Sequence, residues 1–210
     1  MIDRRRFATV ALGLAASLPA AAQWRFAEGT HYVKLPAPVP VPAGGKIDVV
    51  EFFWYGCPHC NAFEPTLEAW SKRLPADVAL RRVHVAFSAL HETHSRLFYS
   101  LQQLGLLEAQ HRRVFAAIHQ QRLALANEGE IADFLQKSGV DRAAFVQAFR
   151  SPAVADAVVQ GKRLSDAYQI DGVPALGVAG RWYTSGSLAG GNDRMVQVAD
   201  QLIAAARKGG

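Results

Sequence analysis

Apolar residues fill the stretch KIDVVEFFWY (46–55) almost without a break. A run rich in Val and Phe at that length predicts a buried strand at the centre of a sheet. From Pro58 the period changes. Phe63, Leu67, Trp70 and Leu74 recur at helical spacing, and Pro65 inside that helix predicts a kink because its ring removes a backbone donor. VALRRVHVAF (78–87) returns to alternation and predicts a second strand. Strand, helix and strand joined by short links predict a parallel, right-handed unit.

Residues 89–168 are patterned differently. SRLFYSLQQLGLL and EAQHRRVFAAIHQQ are amphipathic with a helical period. EGEIADFLQKSG and DRAAFVQAFRS each end in a polar or glycine break, and PAVADAVVQGKRLSDAYQI opens with a proline suited to the first turn of a helix. VPALGVAGRWYT (173–184) predicts two short strands about a turn at Ala179-Gly180, with Trp182 and Tyr183 packing at the surface beyond it. NDRMVQVADQLIAAARK (192–208) predicts a last helix with Asn192 as its N-cap. Upstream, HYVKL (31–35) reads as a short edge strand. The prolines at 36, 38, 40 and 42 deny ladder donors and predict an extended connector across the surface. No internal repeat is visible.

The first 22 residues read as a removable export signal: Arg4, Arg5 and Arg6, an apolar run from Ala8 to Leu18, and Ala20-Ala21-Ala22 before a cut ahead of Gln23. That run is too short to span a bilayer. Arg4-Arg5-Arg6-Phe7 suits the twin-arginine route, and the general secretory route fits as well. No later stretch is long and apolar enough to cross a membrane. The chain carries a net charge of +5, which falls to +3 without Asp3 and Arg4 to Arg6. An excess this small, without a cluster of basic residues, points away from nucleic acid.

Only two cysteines occur in 210 residues, Cys57 and Cys60, and they flank Pro58 and His59 at the start of the first helix. Three chemistries are open to them. A structural disulfide closing so short a loop removes little entropy from the unfolded chain. A zinc-holding module would need partners such as His91 and His94, and no second cysteine pair exists. Redox chemistry fits an exported chain with this pair after a buried strand. With Pro58 as the first helical residue, Cys57 becomes the N-cap. Its sulfur then faces the N–H groups of His59 and Cys60 and the positive end of the helix dipole. A protonated His59 adds charge. Each effect favours the thiolate, so Cys57 is the attacking sulfur and the more buried Cys60 the resolving one. A stabilised thiolate stabilises the dithiol and makes the disulfide oxidising.

CPHC after EFFWYG, followed much later by GVPAL, resembles the DsbA family of periplasmic thiol:disulfide oxidoreductases. The resemblance implies an α/β, thioredoxin-like fold in residues 23–87 and 171–210 with a helical insertion at 88–170. It implies a monomer that donates the Cys57–Cys60 disulfide to reduced, unfolded exported proteins and is reoxidised by a DsbB-type membrane quinone reductase. The cysteines carry the electrons with no bound cofactor. A DsbC/DsbG-type isomerase or reductase is the alternative. Val173-Pro174 matches the family's cis-proline loop, which binds substrate backbone beside the cysteines. Glu51 matches a buried acid that exchanges the proton of Cys60. The family often pairs that acid with a lysine, and Arg82 stands near that place here. Phe63 is assigned to the substrate groove, with inward packing as its other use. Trp54 and Tyr55 read as core.

Overall fold

The computed structural model describes residues 25–209; the export signal expected at 1–22 lies outside them. Strand β1 (Val33–Lys34) leads through the proline-rich connector to β2 (Ile47–Phe53). Helix α1 (Pro58–Ser71) and strand β3 (Val78–His84) complete the first unit. Five helices follow: α2 (Ala89–Gln103), α3 (Leu107–His119), α4 (Glu128–Lys137), α5 (Arg142–Phe149) and α6 (Pro152–Ala167). The chain returns through β4 (Ala175–Val178) and β5 (Trp182–Ser185) to a short α7 (Gly186–Ala189) and a long α8 (Asn192–Lys208).

The sheet order is β1-β5-β4-β2-β3, with β2 and β3 parallel and the other neighbours antiparallel. Strand β2 is interior and buried from Asp48 to Phe53, as its nearly continuous apolar run predicts. Helix α1 continues through Pro65. Ser88, Asn127, Asp141 and Ser151 cap α2, α4, α5 and α6 by accepting from backbone N–H groups three residues on. The hairpin turns on Ala179 and Gly180, both with positive φ (53° and 64°), the conformation that matches the twist of the flanking strands.

Two expectations at the C-terminal end fail. Asn192 is the first residue of α8, not its cap; Gly191 occupies the cap position and supplies no side-chain acceptor. Trp182 is buried, not superficial, because β5 is flanked by β4 and β1 and turns this ring onto the α8 side of the sheet.

Three apolar clusters hold the molecule. One joins a sheet face to α1 and α8 through Val49, Leu67, Trp70, Leu176, Met195 and Leu202. Another covers the opposite face with Val50, Phe52, Val83 and Tyr168. The third fills the helical block around Leu97, Phe98, Leu101, Phe115, Ile131 and Phe145, and it includes Phe53, Tyr55 and both cysteines. The cysteines therefore stand where the sheet unit meets the helical block. Among the described residues, no helix is long and apolar enough to cross a membrane.

Candidate active site

Pro58 occupies the first turn of α1, which leaves Cys57 as an extended N-cap (φ −83°, ψ 118°). Its sulfur accepts from the Cys60 N–H at 3.4 Å. Before it, Trp54 folds over Gly56 so closely that a Cβ there would lie 2.3 Å from the indole ring; only glycine admits this approach.

Both cysteines are free thiols, but their surroundings differ. Cys57 is 8% exposed and Cys60 is fully buried. The hydrogen bond from the Cys60 thiol, helped by the N–H groups of Cys60 and His59, outweighs burial and lowers the Cys57 pKa to about 6. The charge of His59 is the smallest of these influences; the Cys60 thiol leads, and the N-cap N–H groups follow it. Burial, followed by the hydrogen bond and charge of Cys57, pushes the Cys60 thiol far up. Under neutral conditions the outer sulfur is the anion and the inner one keeps its proton.

The second wall comes from far along the chain. The Val173–Pro174 peptide is cis, and the Val173 carbonyl oxygen lies 3.4 Å from Cys57 Sγ, within reach of its hydrogen when the thiol is protonated. A groove of about 400 Å³ opens beside it, lined by His59, Gly172, Val173, Pro174, Tyr183 and Ser187 among others. Phe63 is not part of this groove. It is fully buried between α1 and the sheet, because the helical phase that turns Cys57 and His59 outward turns Phe63 inward with Leu67 and Trp70. Its assignment to substrate binding is corrected accordingly.

Below the cysteines, Glu51 is fully buried and faces Arg82 directly across the β2/β3 ladder. Arg82 Nε donates to Glu51 Oε2 at 2.9 Å, so the arginine takes the place expected of a lysine. The same guanidinium reaches Glu64 Oε2 at 3.3 Å. Burial, reinforced by the charge of Glu64, raises the Glu51 pKa to about 8 against the pull of Arg82. Here ion-pair geometry and titration pull apart: one arginine shared by two carboxylates neutralises only one of them.

Sequence reading missed Glu64, although it lies one turn beyond Cys60 on the buried face of α1, a spacing that could have shown it. It also missed the contacts that five histidines make. His94 is buried, not superficial: its Nδ1 accepts from Trp54 Nε1 at 3.0 Å while its Nε2 faces the carbonyls of Ala124 and Leu125. His91 lies against the Trp54 ring. Around Tyr55, His84 Nε2 accepts from the backbone N–H at 3.2 Å, His119 donates to the carbonyl at 2.8 Å and His111 meets the hydroxyl at 2.9 Å. These pairings tie the Trp54–Gly56 approach to the helical block. Nothing in the local pattern announces them, since partners stand 29 to 64 residues apart. Among the described residues, no group of three or more His, Cys, Asp or Glu side chains is placed to hold a metal ion.

Residues 48–203 match the model of the DSBA-like thioredoxin domain. The chain is 41% identical over 210 residues to the thiol:disulfide interchange protein DsbA of Pseudomonas aeruginosa, covering 98% of this chain and all of that one. It is 45% identical over 175 residues to the protein of that name from Azotobacter vinelandii, covering 83% and 82%. The crystal structure of Pseudomonas aeruginosa DsbA superposes with a TM-score of 0.83 at 42% identity, covering 86% of this chain and 94% of that one. The Xylella fastidiosa oxidoreductase DsbA gives 0.81 at 29% identity, covering 87% and 98%.

Proposed function

The chain belongs to the DsbA-like thioredoxin family and is a thiol:disulfide oxidoreductase; from that premise we propose that it works as an oxidant, donating the Cys57–Cys60 disulfide to newly exported proteins in the periplasm. A thiolate of a reduced, unfolded substrate attacks Cys57 Sγ. The Cys57–Cys60 bond breaks, Cys60 leaves and takes up a proton, and a mixed disulfide joins Cys57 to the substrate. A second substrate thiolate then attacks the substrate sulfur of that bond and expels Cys57 as a thiolate. The substrate leaves with a disulfide and the protein with a dithiol. A DsbB-type membrane quinone reductase removes the two electrons to close the cycle.

One observation carries the direction: Cys57 is a stabilised anion at the N-cap while Cys60 is buried beside it. Whatever stabilises the thiolate stabilises the dithiol relative to the disulfide and makes Cys57 a good leaving group. Glu51 supports the same cycle as a buried acid whose charge reaches Cys60 and which can exchange its proton. The cis loop at Val173-Pro174 supports a substrate strand laid beside Cys57 by backbone pairing. We assign residues 1–22 to the export signal, 23–87 with 171–210 to the thioredoxin-like part, and 88–170 to the helical insertion.

The test is the equilibrium of the Cys57–Cys60 pair with glutathione at pH 7. An oxidant is reduced at low ratios of reduced to oxidised glutathione. A pair that stays disulfide-bonded in excess reduced glutathione refutes the reading. An isomerase would instead rescue scrambled ribonuclease without an added oxidant.

A further inference from the structure

Four ionisable groups from four elements meet in the interior behind the cysteines. Arg82 of β3 holds Glu51 of β2 and Glu64 of α1 on one guanidinium, at 2.9 and 3.3 Å. His111 of α3 completes the set. Its Nε2 lies 3.2 Å from Glu64 Oε1, and the Tyr55 hydroxyl holds its Nδ1 at 2.9 Å. Glu51, Glu64 and His111 are all buried. Even so, three of their atoms have no hydrogen-bond partner: Glu51 Oε1, Glu64 Oε1 and His111 Nε2. The last two are within bonding distance of each other but are not aligned as a hydrogen bond.

Buried polar atoms are rarely left unpaired, so three in one cluster call for a function. The charges suggest which. One arginine against two ionised carboxylates leaves one negative charge over, and a single proton neutralises it. The cluster offers that proton two resting places. At the inner end it sits on Glu51, whose charge reaches Cys60. At the outer end it sits between Glu64 and His111, where it supplies the hydrogen that their contact lacks. Glu64 also lines a surface cavity of about 290 Å³ with Asn61, Arg112 and Gln120, so the outer end meets solvent.

We propose that Glu64 and His111 form the outer half of a proton path that joins Cys60, through Glu51 on the shared Arg82, to water at this cavity. The inference rests on the reading of Cys57–Cys60 as the redox centre. When a substrate thiolate attacks Cys57, the electron pair of the broken S–S bond departs on Cys60 Sγ. That thiolate takes a proton from Glu51. Glu51 regains one from the Glu64–His111 pair, and the pair is refilled from solvent. The balance is one proton from water to Cys60 for each disulfide opened, and reoxidation runs the path in reverse. Arg82 stays charged throughout and keeps the two carboxylates together. His111 is a positioning and relay residue. Facing it are Glu64 on α1, Tyr55 after β2 and His84 on β3, with Phe53 and Phe115 as apolar walls.

The experiment is single-turnover reduction of the oxidised protein by dithiothreitol from pH 5 to 9, for the parent, Glu64→Gln, His111→Gln and His111→Ala. A relay of this kind is worth about tenfold or more in rate. We expect Glu64→Gln and His111→Gln to slow reduction by about that factor and to remove one inflection from the parent pH profile. Imidazole in the buffer should restore His111→Ala, which a merely structural histidine would not require. The pH profile of Cys57 alkylation should stay that of the parent. Parent rates and a parent pH profile in both Gln variants overturn the path. If His111→Gln does not fold, the near-isosteric Glu64→Gln decides alone. A parent disulfide that dithiothreitol fails to reduce overturns the redox reading, and the path with it.

Discussion

Closing the Cys57–Cys60 disulfide removes the Cys57 thiolate, and with it whatever stability the low pKa lends the fold. Reduced and oxidised protein should therefore answer differently to pH. In the reduced fold, the hydrogen bond from Cys60 foremost lowers the Cys57 pKa from the ordinary 9.0 to about 6. Between those values the unfolded chain binds more protons than the fold does, so stability rises with pH. The contribution is complete above about pH 9 and is lost as pH falls through about 6. At about 1.4 kcal/mol for each tenfold change in acidity, the drop corresponds to about 4 kcal/mol. Cys57 is 8% exposed, but even buried sites are screened more strongly than a dry interior would be, and half of that figure, about 2 kcal/mol, is the expected size. Glu51 acts with the opposite sign. Its pKa is raised to about 8, so its contribution declines as pH rises from about 4.5 to that value. Glu51 is ionisable in both redox forms, and subtracting oxidised from reduced stability cancels most of it. Urea unfolding followed by circular dichroism, without oxygen, at pH 5.5, 7 and 9 measures the difference. The reduced form should gain about 2 kcal/mol on the oxidised form across that range. A difference that stays flat, or that moves against the reduced form as pH rises, refutes the assignment of a stabilised thiolate to Cys57.

Iodoacetamide should label Cys57 far faster than Cys60 in the reduced protein, and Cys60→Ser should accumulate long-lived mixed disulfides that Cys57→Ser cannot form; equal labelling rates would contradict the geometry. Arg82→Met removes the cation that Glu51 and Glu64 share, leaves buried carboxylate charge uncompensated and should cost about 3–5 kcal/mol at pH 7. That loss should shrink toward pH 5, as protonation removes the stranded charge, and urea titrations at the two values check it. Phe63→Ala should cost about 3–5 kcal/mol of stability, as for other buried aromatic rings. Its effect on the rate of substrate oxidation per folded molecule should be small; a large rise in KM with unchanged stability would return Phe63 to the groove.

Local pattern settled much of this protein. The nearly continuous, Val- and Phe-rich run at 47–53 pointed to an interior strand. The helical period at 58–71, with proline in the first turn, set the frame in which Cys57 is the cap and Cys60 lies one turn in. The first follows from an apolar run of strand length and the second from a repeat of about 3.6 residues, both of which a sequence displays directly. Phe63 shows where this reasoning stops. Its place at the helix start suited a groove, but the side of the helix covered by the sheet is known only once α1 is docked.

What the tertiary structure alone decided lies between elements distant in sequence. The β2/β3 register sets Arg82 opposite Glu51, and α1 then brings Glu64 to the same guanidinium. The docking of α3 brings His111 to Glu64 and His119 to the Tyr55 carbonyl. The return of the chain through β4 lays Val173 against Cys57 from 116 residues away. Each isolated segment would expose these groups to water, where a carboxylate, an imidazole or a thiol titrates near its ordinary value. Burial in a common interior removes that solvent, and the groups then depend on one another for charge and protons. The sequence names the two sulfurs and, through the helix cap, the one that ionises; the assembled interior supplies the burial that holds the proton on Cys60.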